Sequence, residues 1–304
     1  MNRRVSLLLQ TLGNDYQELL RDDALTTSRR LGLETTILSA DRSAERQAQQ
    51  VRDLLKQPPS QRPAAVIISP VRETALMAAA HEAARSGLGW VVLSRWSEYL
   101  AEQRALFPNV PLFCVMPDQE EIGRIQARQV KALLPEGLEL VYIRGPLGTY
   151  SAERRLAGFR EVFGSDGAVE PFLLNSDWSV DGGAQAMGDW IRIFTKKQLP
   201  SCLVAAQNDA MAMGALKAYT AHAGHQRTPP TFIGCDGSPG YGQRLIGSGE
   251  LRATVLIPSV TGLALSELSR ALTSGIAPKL VNLVPVQSIP DLQKLGDATA
   301  NRST

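Results

Sequence analysis

The chain has 304 residues, 44% of them hydrophobic and 20% charged. That is enough apolar content for one large or two medium cores, and too much for a disordered chain. Lys plus Arg is 32 against Asp plus Glu at 30, with no basic block along the chain, so these residues are not expected to bind nucleic acid directly.

Short apolar runs alternate with helix-period segments almost from end to end. Residues 5–10 read as a strand, followed by a helical stretch to residue 31. Residues 35–38 precede a polar helix over 43–55, and Gln57-Pro58-Pro59-Ser60 is a turn-rich linker into the apolar run 64–68. An Ala-rich stretch at 74–85 and the run 90–93 complete a βαβα rhythm, which predicts a parallel sheet covered on both faces. The rhythm restarts after 111–115, with a helix over 118–134, a strand at 140–143, a helix at 152–163, a strand at 172–174 and a helix at 183–195. Two short buried strands then end on carboxylates, Asp209 and Asp236, 27 positions apart (236 − 209). In open α/β sheets, ligands sit outside the carboxyl ends of the strands, so Asn208, Asp209 and Asp236 stand where a small molecule would be read. Residues 253–257, a helix over 259–274 and the run 281–286 depart from the rhythm, and the polar stretch 296–304 is expected to fray. Two successive α/β sheets of similar size imply two lobes.

Cys114, Cys202 and Cys235 each lie in an apolar run, too far apart for a C-x-x-C site, and read as small buried hydrophobes. His81, His222 and His225 share no ligand spacing with them, so no metal and no other cofactor is expected. There is no G-x-S-x-G, H-E-x-x-H or histidine-centred constellation, and the chain is therefore not expected to be an enzyme. Met1-Asn2-Arg3-Arg4 leads straight into the first apolar run, without the longer stretch and small-residue cleavage site of a secretory leader. The expectation is a cytoplasmic chain if Met1 is the native start, or a mature form whose leader has been removed. No run approaches the roughly 18 apolar residues of a membrane span.

Five segments, in order, carry a resemblance. They are Gln10-Thr11-Leu12-Gly13-Asn14-Asp15-Tyr16; Val92-Leu93-Ser94-Arg95; Gly145-Pro146-Leu147-Gly148-Thr149 with Arg155 and Gly158-Phe159; Gln207-Asn208-Asp209-Ala210-Met211-Ala212-Met213-Gly214-Ala215; and Gly234-Cys235-Asp236-Gly237-Ser238-Pro239. Each alone is weak, but together they make residues 4–290 resemble the periplasmic sugar-binding proteins of the ribose-binding type, whose fold also serves as the effector domain of lactose-repressor-like regulators. The resemblance implies two doubly wound α/β lobes joined by three hinge crossings, near 114–118, 255–258 and 284–288. Lobe one would be 1–115 plus 258–284, and lobe two 117–255 plus 286–304. It also implies a ligand held by hinge closure.

A sugar offers flat apolar faces and a ring of hydroxyls, which call for aromatic plates and for charged or amide groups able to make paired hydrogen bonds. Carried over by position, Tyr16 and Trp178 would be the plates, and Asn14, Arg95, Arg155, Asn208 and Asp236 the hydrogen-bonding set. Asp209 reads as the cap of the helix after it. Trp96, Tyr99 and Tyr150 read as surface aromatics, and Arg154 beside Arg155 leaves the register open by one residue. The loop between Gly145 and Gly148 lacks the Lys-Ser/Thr of a phosphate loop and reads as a simple βα turn.

The departures matter too. Ser94 stands where the family has an aspartate, and Ile257 where it has a glutamine. An anion lost beside two arginines would leave a more positive site, which points to an acidic sugar derivative or to a less hydroxylated ligand. The function the resemblance implies is a substrate-binding component of ABC-type sugar uptake, periplasmic, with a membrane permease or signalling protein as partner. The alternative is a cytosolic effector-sensing domain of a repressor-like regulator.

Overall fold

The structure, a computed structural model, describes residues 2–135, 137–164, 171–194, 201–223 and 230–295. His225, the stretch 296–304 and the last residue of the helix expected at 183–195 lie outside them. In chain order the strands are β1 (Arg4–Leu9), β2 (Glu34–Ser39), β3 (Ala65–Ile68), β4 (Gly89–Leu93), β5 (Leu112–Pro117), β6 (Glu139–Arg144), β7 (Phe172–Asn175), β8 (Cys202–Ala206), β9 (Thr231–Ile233), β10 (Thr254–Leu256), β11 (Val281–Val284) and β12 (Gln287–Ile289). The helices are α1 (Asp15–Leu31), α2 (Ala44–Lys56), α3 (Met77–Arg85), α4 (Tyr99–Leu106), α5 (Gln119–Leu133), α6 (Tyr150–Phe163), α7 (Val180–Ile193), α8 (Asp209–Ala223), α9 (Gly242–Gly247) and α10 (Thr261–Ser274).

The chain divides into two compact units, Met1–Pro117 with Ser259–Val284, and Asp118–Pro258 with Pro285–Thr304. It passes between them three times, and a proline stands at each passage: Pro117, Pro258 and Pro285.

The first unit is built on a six-stranded sheet in the order β11-β5-β4-β3-β1-β2, parallel throughout. Its inner strands β1, β3, β4 and β5 are apolar at nearly every position because both faces are covered, whereas the edge strands β2 and β11 carry polar and exposed residues. Val5, Leu7 and Leu9 of β1 alternate onto the face packed by Leu20 and Ala24 of α1 and Ala264, Leu265 and Leu268 of α10. The intervening positions, such as Leu8, Ile68, Trp90 and Val92, are buried as well. Trp90 donates its indole N–H to the Tyr99 hydroxyl at 3.0 Å, which fastens α4 to β4. Tyr99 is therefore a core residue, 6% exposed, and not the surface aromatic expected from the sequence. Its burial pushes the phenol up to about 12. The capping pattern at α1 explains where the helix begins: the Asn14 side chain accepts the backbone N–H groups of Tyr16 and Gln17.

The second unit has a four-stranded parallel sheet, β7-β6-β8-β9. It is smaller than the sequence rhythm suggests, because the last strands do not extend it regularly. Isolated bridges at Ile233–Ala253 and Asp236–Leu256 carry the sheet on to β10, which pairs antiparallel with β12. One face packs against α7 and α8 through Met187, Trp190, Met211 and Ala215. The other packs through Leu140, Tyr142, Leu203 and Ala205 against Ala127 and Val130 of α5 and Leu156 and Phe159 of α6.

Each of these helix pairs crosses on two glycines. A Cβ on Gly123 of α5 would lie 2.0 Å from the Arg155 carbonyl, and one on Gly158 of α6 would lie 2.0 Å from the Glu120 carbonyl. On the opposite face, a Cβ on Gly183 would lie 2.3 Å from the Met211 carbonyl, and one on Gly214 1.9 Å from the Val180 carbonyl. Backbone thus lies directly on backbone at both crossings, which holds α6 against α5 and α8 against α7.

Candidate functional site

In both units the residues singled out from the sequence lie just beyond the carboxyl ends of parallel strands, where the topology leaves loops free to read a ligand. In the first unit they follow β1 and β4. Asn14 commits its side-chain oxygen to the cap of α1, and the Tyr16 hydroxyl lies 3.3 Å from Ser94 Oγ. Arg95 donates to Glu73 Oε2 at 2.9 Å, with both side chains about a fifth exposed. Glu73 sits in the short turn Glu73–Ala75 after β3. It supplies Arg95 with the anion that Ser94 lacks, and so corrects the expectation of excess positive charge at this arginine. No motif announces Glu73, because it lies on a different loop from its partner.

In the second unit the structure brings Arg155, Trp178, Asn208 and Asp236 into one cluster. Arg155 projects from α6 and is 7% exposed. Its Nε donates to Gln119 Oε1 at 2.8 Å and its Nη1 to the Gln207 carbonyl at 2.5 Å, while Nη1 lies 3.8 Å from Asp236 Oδ1. The guanidinium stacks over the Trp178 ring, 5.6 Å from its centroid. The indole also rests on the backbone of Gly145: a Cβ there would fall 2.1 Å from the ring, so the plate requires glycine beneath it. Arg154, by contrast, points outward to Glu120 at 2.8 Å with half its side chain exposed, so of the two it is Arg155 that joins this cluster.

Asn208 is 3% exposed, and both its polar side-chain atoms are engaged. Its Nδ2 donates to the Trp178 carbonyl at 3.0 Å, and its Oδ1 accepts from the Met211 N–H at 2.8 Å. It is therefore Asn208, not Asp209, that caps α8. Asp209 turns away from the helix. Its Oδ1 accepts from Thr254 Oγ1 at 2.7 Å and its Oδ2 from the Gly237 N–H at 2.8 Å. Burial, with the neighbouring Asp236 charge in second place, pushes the Asp209 carboxyl well above the usual carboxylate range.

Gln207 and Gln119 are the participants that sequence reasoning passed over. Gln207 is fully buried. Its Oε1 accepts from the Gly145 N–H at 3.0 Å and its Nε2 donates to the Ala152 carbonyl at 3.0 Å, so it ties the loop under Trp178 to α6. It stood in a quoted motif, yet side-chain amides in strand tips carry no signal that separates a scaffold from a binder. Backbone strain gives another pointer. Ser94, Trp178 and Asp236 hold positive φ values of 66°, 71° and 101°, each just beyond a strand, a conformation that non-glycine residues keep only where surroundings enforce it.

The three cysteines are buried, and burial pushes each thiol up to about 12, so they are poor nucleophiles at neutral pH. His81 lies away from both clusters, against Gln103 and Phe107. Among the described residues no group of three or more His, Cys, Asp or Glu side chains is arranged to hold a metal ion, and no helix is long and apolar enough to cross a membrane.

Residues 5–262 match the family described as periplasmic binding protein domain. The chain is 23% identical over 251 residues to the ribose import binding protein of Escherichia coli K12, covering 83% of this chain and 78% of that one. Among solved structures it is similar to a periplasmic solute-binding protein of an ABC transporter from Actinobacillus succinogenes with bound D-allose. There the TM-score is 0.81 at 20% identity, covering 97% and 99% of the two chains. It is also similar to the Caulobacter myo-inositol binding protein bound to myo-inositol, with a TM-score of 0.77 at 22% identity over 99% and 97%. These structures share its fold. The match over most of the chain places this protein in the periplasmic binding protein family, of the ribose-binding type.

Proposed function

We propose that this protein binds a neutral polyhydroxylated small molecule, a sugar or cyclic polyol, and hands it on without chemical change. The observation that carries the reading is the cluster on the second unit, where Trp178 lies against Arg155 and beside Asn208 and Asp236 at the tips of β8 and β9. An aromatic plate edged by a guanidinium and a carboxylate suits C–H faces flanked by hydroxyls. Asn14, Tyr16 and Arg95 form the corresponding group on the first unit. Arg95 is paired with Glu73, and Arg155 lies beside Asp236. Neither arginine needs an anionic ligand to balance it, which favours a neutral ligand over a sugar acid or phosphate.

The roles of the relatives, a ribose import binding protein and a periplasmic solute-binding protein of an ABC transporter, support import as the purpose, with a membrane permease as partner and the periplasm as the working location. The test is a thermal-shift panel of neutral pentoses, hexoses and cyclic polyols against sugar acids and sugar phosphates, with native mass spectrometry for a co-purified molecule. Stabilisation by neutral members is expected. Stabilisation only by the acidic members, or turnover of a bound sugar by the purified protein, overturns the reading.

A further inference from the structure

Asp209 is 2% exposed and touches no surface from which a ligand could come. Its bonds nevertheless converge on one residue that does. The Asp209 N–H donates to the Cys235 carbonyl at 2.6 Å, ahead of Asp236, and its Oδ2 accepts the Gly237 N–H just after it. On the other side, the Asp236 N–H donates to the Val255 carbonyl at 3.0 Å and the Asp236 carbonyl accepts from the Ile257 N–H at 2.9 Å. The Asp236–Gly237 peptide is thus gripped at both ends, by Ile257 on its oxygen and by Asp209 on its N–H. Thr254, on the same strand as Val255, closes the ring by donating to Asp209 Oδ1. The carboxylate has no room to move, because it fills the space against Gly234 and Gly242, where an added Cβ would lie 2.0 and 2.1 Å from its oxygens.

A residue at φ 101° relaxes unless its neighbours hold it. Of the groups that hold Asp236, the Asp209 carboxylate is a side chain and so can be changed without moving the main chain. We propose that Asp209 is the positioning residue for Asp236: it fixes the Asp236–Gly237 peptide, and through it aims the Asp236 carboxylate at Arg155 and the ligand. This rests on the reading that Asp236 faces the ligand.

The test uses Asp209→Asn, Asp209→Ala and Thr254→Val in the whole chain, with two readouts. The first needs no ligand: the Gly237 amide proton and the Asp236 side-chain carboxyl carbon are followed by NMR. Both resonances are expected to shift in Asp209→Asn and, less, in Thr254→Val. The second is affinity for whichever neutral sugar stabilises the wild type most, expected to fall on the order of tenfold in Asp209→Asn. That loss should vanish when Asp236 is already Asn, because the two residues act in series. A lower melting temperature with both resonances unmoved overturns the proposal, as do affinity losses that simply add. If Asp209→Ala does not fold, the other two variants still decide. A wild type that binds no sugar sinks the proposed function, while the NMR arm still judges the positioning role.

Discussion

The strand tips of the two units are made from similar residue types and held in different ways. In the first, Arg95 and Glu73 meet on loops with each side chain about a fifth exposed, and Tyr16 reaches Ser94 through a 3.3 Å contact. In the second, Arg155 is buried among Gln119, the Gln207 carbonyl, Cys235 and Asp236, Asn208 has both polar atoms engaged, and Gln207 bonds from beneath. The helices behind the second cluster cross on glycines, so their carbonyls cannot retreat. The same ion-pair chemistry therefore carries a different weight in each place. In the first both partners are about a fifth exposed; in the second the guanidinium is buried and only the carboxylate is exposed to a similar degree, so the second cluster presents side chains whose rotamers are more firmly fixed.

The largest expected effect breaks this comparison at Arg155. Arg155→Ala strips partners from Gln119 and from the Gln207 carbonyl and leaves Asp236 without its guanidinium. Breaking a buried charge cluster in this way costs about 3–5 kcal/mol, read as a shifted midpoint in urea unfolding. A loss below about 1 kcal/mol would mean that the second cluster is as loosely held as the first. Next is Gly214→Ala, whose Cβ would lie 1.9 Å from the Val180 carbonyl. Forcing α7 and α8 apart costs about 1–3 kcal/mol. It should also weaken sugar binding, since Asn208 at the head of α8 holds the Trp178 loop. Gly13→Ala in the first unit, with only Thr11 Oγ1 at 3.7 Å, is the matched control and should be nearly neutral.

A smaller effect distinguishes the units by pH. The folded-state value of Asp209 lies above its unfolded one, so the native chain holds a proton that the unfolded chain has already released. Its contribution is fully present below the unfolded value, declines as pH rises towards the folded one and is lost above it. Glu153, lowered by the Gly148 N–H and by Arg144, acts in the opposite sense, but it is common to wild type and variant. The difference in unfolding free energy between the wild type and Asp209→Asn, followed over roughly pH 4 to 8, should therefore move against the wild type as pH rises. A flat difference would show that Asp209 keeps its ordinary titration when folded.

The sheets were legible because a strand buried on both faces must be apolar at every position, as in Ala65–Ile68 and Cys202–Ala206. Short α4 and α9 were not, since one or two helical turns show no full period. The assignment of the cap was wrong for a physical reason. Asn208 and Asp209 can both cap a helix, and what separates them is the Thr254 hydroxyl and two glycines, 25 to 45 residues further along the chain (234 − 209 and 254 − 209). Glu73 was invisible in the same way: a glutamate in a short turn becomes informative only when a fold sets it beside Arg95. Local chemistry names the candidates, and long-range packing decides which of them bind one another.

The smallest expected effect is at that pair. Arg95→Ala removes an ion pair whose two side chains are each about a fifth exposed, so solvent screening leaves it worth about 0.2–1 kcal/mol of stability. Raising the salt concentration should shrink even that, whereas the cost of Arg155→Ala should hardly change, because a buried pair lies beyond the reach of counterions. Measuring both variants at low and high ionic strength therefore tests the comparison itself. Equal salt dependence would mean that Arg155 is hydrated like Arg95, and that the second cluster is no more firmly built than the first.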